Sequence, residues 1–168
     1  MASESARMTT AAQARFRIDA PNSVPRAVTV IALDGASEVV VRRLAQRPWQ
    51  RARFLSAAAF VSSPAAPVSL QGWLSDLAGR TSSLVEEIDA ADLVVLVASA
   101  AGNAPAAQLI GEACQLKRIM TTALIVGYTT VSDEALSRTL AQLRPYAPML
   151  VIASADDYVA DMLAALRA

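Results

Sequence analysis

The chain is punctuated by short apolar runs set between amphipathic stretches. Ala27–Leu33 (AVTVIAL) is a continuous β-branched run, the pattern of a strand buried on both faces. Phe54–Val61 (FLSAAAFV), Leu93–Ser99 (LVVLVAS), Thr122–Val126 (TALIV) and Leu150–Ser154 (LVIAS) repeat the pattern. Between them lie helical spacings. Glu38–Gln46 reads as a helix that Pro48 ends, because proline lacks the amide proton a helix interior needs. Ser69–Leu77 and Ser82–Ala90 read as two helices with Gly79 between them. Pro105 opens a helix to about Arg118. Ser132 is a natural N-cap, with Asp133 and Glu134 in the electropositive first turn of a helix reaching about Tyr146. Asp156–Arg167 reads as the last helix.

Five apolar strands alternating with helices imply βαβ units. Right-handed crossovers then favour a three-layer α/β domain, Rossmann-like. Its expected core is a mostly parallel five-stranded sheet of order 2-1-3-4-5 with helices on both faces. Residues 1–25 read as a flexible tail, with a short helix at Thr9–Arg17 and breakers at Pro21, Asn22, Ser23 and Pro25. Residues 26–168 form the single domain, and the length of 168 residues suits one core without a disulfide or metal staple.

In open parallel sheets a ligand sits beyond the carboxyl ends of the strands, where strand order reverses. Here that crevice lies between the first and third strands. It brings Asp34, Gly35, Ala36 and Ser37 beside Ser99, Ala100, Gly102 and Asn103, with Tyr128 and Thr129 along the same rim. Helix N-termini at such a rim offer free N–H groups to an anion. A second account of the same residues is purely local: Asp34 and Ser37 cap a helix at an ordinary strand-exit turn. DGAS holds one glycine where a dinucleotide fingerprint has three, and the only lysine, Lys117, follows no glycine-rich loop.

Composition removes several chemistries. There is no histidine, so imidazole-assisted triads and imidazole–zinc sites are excluded. The single cysteine, Cys114, lies in an alanine-rich helical pattern and is expected to be a buried small hydrophobe. The acidic run Glu86, Glu87 and Asp89 could hold a hard cation or serve as acid and base, but a solvated helix face is the simpler account, and no metal or cofactor is expected. Net charge is zero, which gives no global field for nucleic acid or membrane. No apolar run approaches the ~18 residues of a membrane span, and no secretory leader pattern opens the chain. A cytoplasmic location is expected.

Charge is nonetheless uneven. Residues 1–60 hold nine arginines against four acids, and Arg42, Arg43, Arg47, Arg51 and Arg53 cluster around Trp49. Such a stretch could bind an acidic partner or a single strand with the indole stacking. It equally fits a solvated helix face with Trp49 packed beneath it. Trp73 reads as a packing anchor.

The segment Ala91–Gly127 (ADLVVLVASAAGNAPAAQLIGEACQLKRIMTTALIVG) resembles the centre of the nucleotide-binding domain of the bacterial tubulin homologue FtsZ. In that family an acidic helix and an "AD" dipeptide lead into a buried strand. A phosphate loop, an alanine-rich helix and another strand follow. Leu84–Asp92 (LVEEIDAAD) supplies the lead-in, and Gly35–Ala45 (GASEVVVRRLA) looks like a faded first loop and helix. The resemblance covers residues 26–168 as pattern and implies a shared fold. By position, Gly35, Ala36, Gly102 and Asn103 would line the nucleotide pocket. The family's GGGTGTG loop is replaced by Ala100, Ala101, Gly102, Asn103 and Ala104, and the domain that carries catalytic acids to a neighbour in that family is expected to be absent. Alanine fills the space in which glycine lets backbone N–H groups wrap phosphate. The resemblance thus implies lost GTP hydrolysis. The function expected is a non-catalytic binding or regulatory module able to take a small-molecule or nucleotide ligand; the alanine-rich surface and zero net charge permit association, and a homo-oligomer is expected. The alternative is a nucleotide- or phosphate-ligand enzyme at Asp34, Ser99 and Asn103, with Asp34 as base or cation ligand.

Overall fold

The computed structural model describes residues 25–59, 74–153, 156–166 and 168. Residues 1–24 of the expected tail, with the helix expected over Thr9–Arg17, residues Phe60 and Val61 of the second expected strand, the Ser69–Trp73 part of the expected helix, Ser154 and Arg167 lie outside them.

Among the described residues seven strands form one sheet. In chain order they are β1 (Val28–Ala32), β2 (Ala52–Ser56), β3 (Leu74–Asp76), β4 (Thr81–Ser82), β5 (Leu93–Ser99), β6 (Met120–Val126) and β7 (Met149–Ile152). Their spatial order is β4-β3-β2-β1-β5-β6-β7. The five long strands are parallel neighbours in the expected 2-1-3-4-5 arrangement. β3 and β4 extend the β2 edge as antiparallel strands.

That extension corrects the reading of Ser69–Leu77 as a helix. Leu74–Asp76 is a strand, and Gly79 turns it into β4 with φ +82, a left-handed conformation that glycine adopts without strain. Asp76 holds the turn: its Oδ1 accepts from the N–H groups of Ala78 (3.0 Å) and Arg80 (2.9 Å). The Arg80 guanidinium adds an ion pair at 2.7 Å. The same backbone and side-chain bonds hold the Asp76 carboxyl below the usual range. The helix expected from Ser82 begins instead at Leu84, after β4.

Among the described residues five α-helices cover the sheet: α1 (Gly35–Leu44), α2 (Leu84–Asp89), α3 (Ala106–Lys117), α4 (Asp133–Leu143) and α5 (Asp156–Ala165). α2, α3 and α4 pack on one face, over Ile31, Leu55, Val94, Leu96 and Ile125. α1 and α5 pack on the other, over Val30, Val95, Val97 and Leu124. β5 is buried on both faces along Leu93–Ala98. The small residues of α3 let it lie close: Ala106, Ala107, Gly111, Ala113 and Cys114 are all buried. α4 begins as its sequence dictates, Ser132 Oγ accepting from the Ala135 N–H at 3.3 Å. α3 ends at Arg118, a non-glycine residue with φ 58. Among the described residues no helix is long and apolar enough to cross a membrane.

Candidate functional site

The register of the sheet builds the rim. Ala32 pairs with Val97, so two residues later Asp34 arrives beside Ser99. Asp34 is the N-cap of α1. Its Oδ1 accepts from the Ser37 N–H at 2.9 Å, while its own N–H donates to Ser37 Oγ at 3.2 Å, a reciprocal capping box. The second carboxylate oxygen reaches across the strand boundary and accepts from the Ser99 N–H at 2.8 Å. One side chain thus caps α1 and ties it to the exit of β5.

Glu38, one turn into α1, makes the matching tie on the other side. Its Oε2 accepts from the Ser56 hydroxyl at the end of β2, at 2.5 Å, and its Oε1 pairs with Arg42 at 2.6 Å. The Ser56 hydroxyl first, and then Arg42, hold the Glu38 carboxyl below its usual range against the opposing effect of burial. The start of α1 is therefore tethered to both neighbours of β1.

The β5 exit loop is packed against these groups. A Cβ at Gly102 would fall 2.4 Å from Asp34 Oδ2 and 2.6 Å from Ser99 Oγ, so only glycine lets the loop lie this near. From the far side α4 grips the same loop. The Thr139 hydroxyl lies 3.0 Å from the Ala100 carbonyl oxygen and 3.2 Å from that of Gly102. Gln142 Oε1 accepts from the Ala104 N–H at 2.9 Å, and its amide donates to Asn103 Oδ1 at 3.2 Å.

Of the residues the sequence placed at the rim, Asp34, Ser37, Ser99 and Gly102 meet. Ser37 is fully buried, whereas Gly35 and Ala36 are exposed beside the cap. Asn103 turns outward to Gln142. Tyr128 and Thr129 form a 3₁₀ turn after β6, Tyr128 resting partly on the α2–α3–α4 core and Thr129 exposed. A cavity of about 370 Å³ opens at the rim, lined by Ala101, Gly102, Asn103, Ala135, Arg138, Thr139 and Gln142. It lies between the β5 loop and α4, and Asp34 does not line it. Glu38, Ser56, Thr139 and Gln142 escaped the sequence reading. Of these only Glu38, an acid in a helix first turn, carries a local signal.

The arginines are dispersed over the fold. Arg42 lies on α1 with Glu38 and also donates to the Leu77 carbonyl oxygen. Arg53 projects from β2 to the opposite face and pairs at 2.8 Å with Glu87 of α2. Arg51 donates to the Pro25 carbonyl at 3.2 Å. Arg43 and Arg47 also have interaction partners. Arg42 and Arg53 thus reach partners on elements that cover opposite faces of the sheet. Trp49 packs on Phe54, ring centroids 6.2 Å apart, and its indole N–H donates to the Leu44 carbonyl at 2.8 Å. Glu87 is buried, also accepting from the Ser82 hydroxyl, so the acidic run is not a uniformly solvated face. Asp89 pairs with Lys117 at 2.7 Å. Among the described residues no group of three or more Cys, Asp or Glu is placed to hold a metal. Cys114 is buried, and burial pushes its thiol up.

No protein-family model matches the chain, and no curated protein matches it. Among solved structures it is similar to the apo form of translation elongation factor SelB from Methanococcus maripaludis, with 13% identity and a TM-score of 0.44. The match covers 86% of this chain and 36% of that one, so the chain spans about a third of that structure's length.

Proposed function

We propose that this chain is a non-catalytic binding or regulatory module of the cytoplasm, built on a nucleotide-binding type of α/β frame whose phosphate position is taken by its own carboxylate. The resemblance to the FtsZ nucleotide-binding domain belongs to the same proposal: the frame is kept and the glycine-rich phosphate loop is gone.

The observation that carries this reading is the Asp34 carboxylate. A phosphate at the strand-order reversal needs the N–H groups at the start of α1 and at the β5 exit. Asp34 already accepts from one of each, Ser37 and Ser99. Glu38, in the same turn, is already paired with Arg42 and Ser56 on the β2 side. An incoming phosphate would meet the Asp34 carboxylate and donors already engaged, so binding there is opposed both by repulsion and by lost hydrogen bonds.

Thermal unfolding with millimolar GTP, ATP, NAD or FMN tests this. A ligand present at 100 times its Kd adds ~2.7 kcal/mol and moves the midpoint by several degrees. No shift is expected with any of the four. A saturable shift that Asn103→Ala abolishes would overturn the reading in favour of a phosphate-ligand enzyme at Asp34, Ser99 and Asn103.

A further inference from the structure

The two edges of the sheet are finished differently. At one edge β3 and β4 close the parallel core with a short hairpin carrying the Asp76–Arg80 ion pair. Short, charged edge strands discourage further pairing. At the other edge β7 has β6 on one side and, among the described residues, nothing on the other. Its sequence is Met-Leu-Val-Ile, with no charge, bulge or proline inside it. Met149 and Ile152 stay 49% and 40% exposed, a large apolar exposure for an edge with no charged residue to guard it. The uncharged stretch is longer than the strand: Pro145–Ala155 contains no acidic or basic residue.

The hydrogen-bonding phase of β7 says what this edge can pair with. The Ala153 N–H donates inward to the Ile125 carbonyl at 2.8 Å. In a parallel strand both polar groups of a residue point the same way, and the direction alternates along the chain. Val151 and Met149 therefore face β6 with Ala153, while Leu150 and Ile152 present their N–H and C=O outward. An antiparallel second copy centred on Val151 meets this phase without a gap. Leu150 would exchange both backbone bonds with Ile152 of the second copy, and the two-fold axis repeats the exchange. Val151 would face Val151 of the second copy as the close, non-hydrogen-bonded pair. Such a contact is isologous and closes on itself, as most soluble oligomers do. Nothing charged is present on the strand to oppose it, and the chain's net charge is zero.

We propose that β7 is a self-pairing edge, joining two copies of this chain into one continuous sheet about a two-fold axis at Val151. The inference is independent of whether the crevice at Asp34 binds anything.

Sedimentation velocity of the full chain, from micromolar to millimolar concentration, should show a reversible monomer–dimer equilibrium. Ile152→Lys puts a charge on the exposed edge without touching a β6–β7 bond, and should weaken dimerisation by about tenfold or more while leaving the monomer's thermal midpoint in place. Register is tested by oxidation. Val151→Cys places two sulfurs on a close pair whose Cα atoms lie about 4.5 Å apart, within disulfide reach. It should cross-link quantitatively and faster than Leu150→Cys, whose two copies are offset along the strands. A monomer throughout the range, dimerisation unchanged by Ile152→Lys, or Val151→Cys cross-linking no faster than Leu150→Cys would each overturn the proposal.

Discussion

Replacing Asp34 by asparagine changes two atoms' chemistry and almost no volume, which makes it the sharpest probe of the rim. The carboxylate accepts from two donors in different elements, Ser37 N–H at 2.9 Å and Ser99 N–H at 2.8 Å. Asparagine has one acceptor oxygen. If that oxygen keeps the cap, its NH₂ faces the Ser99 N–H, donor against donor; if it flips, the cap is lost instead. A hydrogen bond to a charged group is worth about 1.5–3 kcal/mol, so with Asp34 only half-buried the lower part of that range applies, about 2 kcal/mol. Asp34→Ser should cost a similar ~2 kcal/mol, because its shorter side chain keeps the cap but does not span to Ser99. Asp34→Ala loses both ties, for about 3 kcal/mol, the extra ~1 kcal/mol being the cap alone. Urea unfolding read by circular dichroism gives these differences, and in a chain of this size each kcal/mol also moves the thermal midpoint by about 2–4 °C. An Asp34→Asn protein within about 0.5 kcal/mol of wild type, the range of an ordinary surface change, would refute the two-element tie.

Four further outcomes follow from particular residues. Gly111→Ala puts a Cβ 2.3 Å from Tyr146 Cβ; overpacking of about 1–3 kcal/mol should outweigh the ~1 kcal/mol of helix propensity gained, so urea unfolding shows a net loss, and a net gain would contradict the packing of α3 on the residues after α4. Arg118→Gly relieves the left-handed C-cap of α3 and should stabilise by about 0.5–1 kcal/mol in the same assay, whereas a loss would show that the arginine side chain contributes more than its strained backbone costs. Glu38 titrates below its ordinary value of 4.5 in the folded chain. Its stabilising contribution is therefore complete above that value and is lost as pH falls through the lower folded value, so Glu38→Gln should flatten the acid limb of the stability–pH curve below about pH 4.5 and leave neutral pH dependence unchanged. Cys114 is buried with its thiol pushed up, so a thiol reagent should label it slowly in the native chain and rapidly in denaturant; fast native labelling would place it at the surface.

The parts of the fold that were legible are those in which one physical demand dominates. Strands buried on both faces must be apolar throughout, so Leu93–Ser99 announces itself, and with crossover handedness it determines the 2-1-3-4-5 core. Ser132 was legible as a cap because few residue types can satisfy a helix's first N–H groups. The β3–β4 hairpin was not legible as periodicity, because three- and two-residue strands are too short to show any. Its signal was the turn itself: Asp76 with glycine three residues on is an Asx-type turn, and read first it would have displaced the helix assigned over Ser69–Leu77.

At the candidate site the sequence brought the right loops together, since strand register follows from strand order. It could not show how the groups there are used. The bond from Asp34 to Ser99 spans 65 residues, and the grip of Thr139 and Gln142 on the β5 loop spans 37 to 39. Mid-helix polar residues such as these read as solvated until the helix is set down beside a loop. That Arg42 and Arg53 find partners on opposite faces was hidden for the same reason. Proximity in sequence between Arg42 and Arg53 crosses from a helix on one face to a strand whose side chain points to the other.

In the proposed function the Asp34 carboxylate stands where a phosphate would have to bind. The direct measurement is a titration of ¹⁵N-labelled protein with GTP and with inorganic pyrophosphate, following the backbone amides of Ser37 and Ser99. Neither resonance should move at millimolar ligand in the wild-type chain. Saturable displacement of both would mean that the crevice opens to phosphate and that the closed-rim account is wrong.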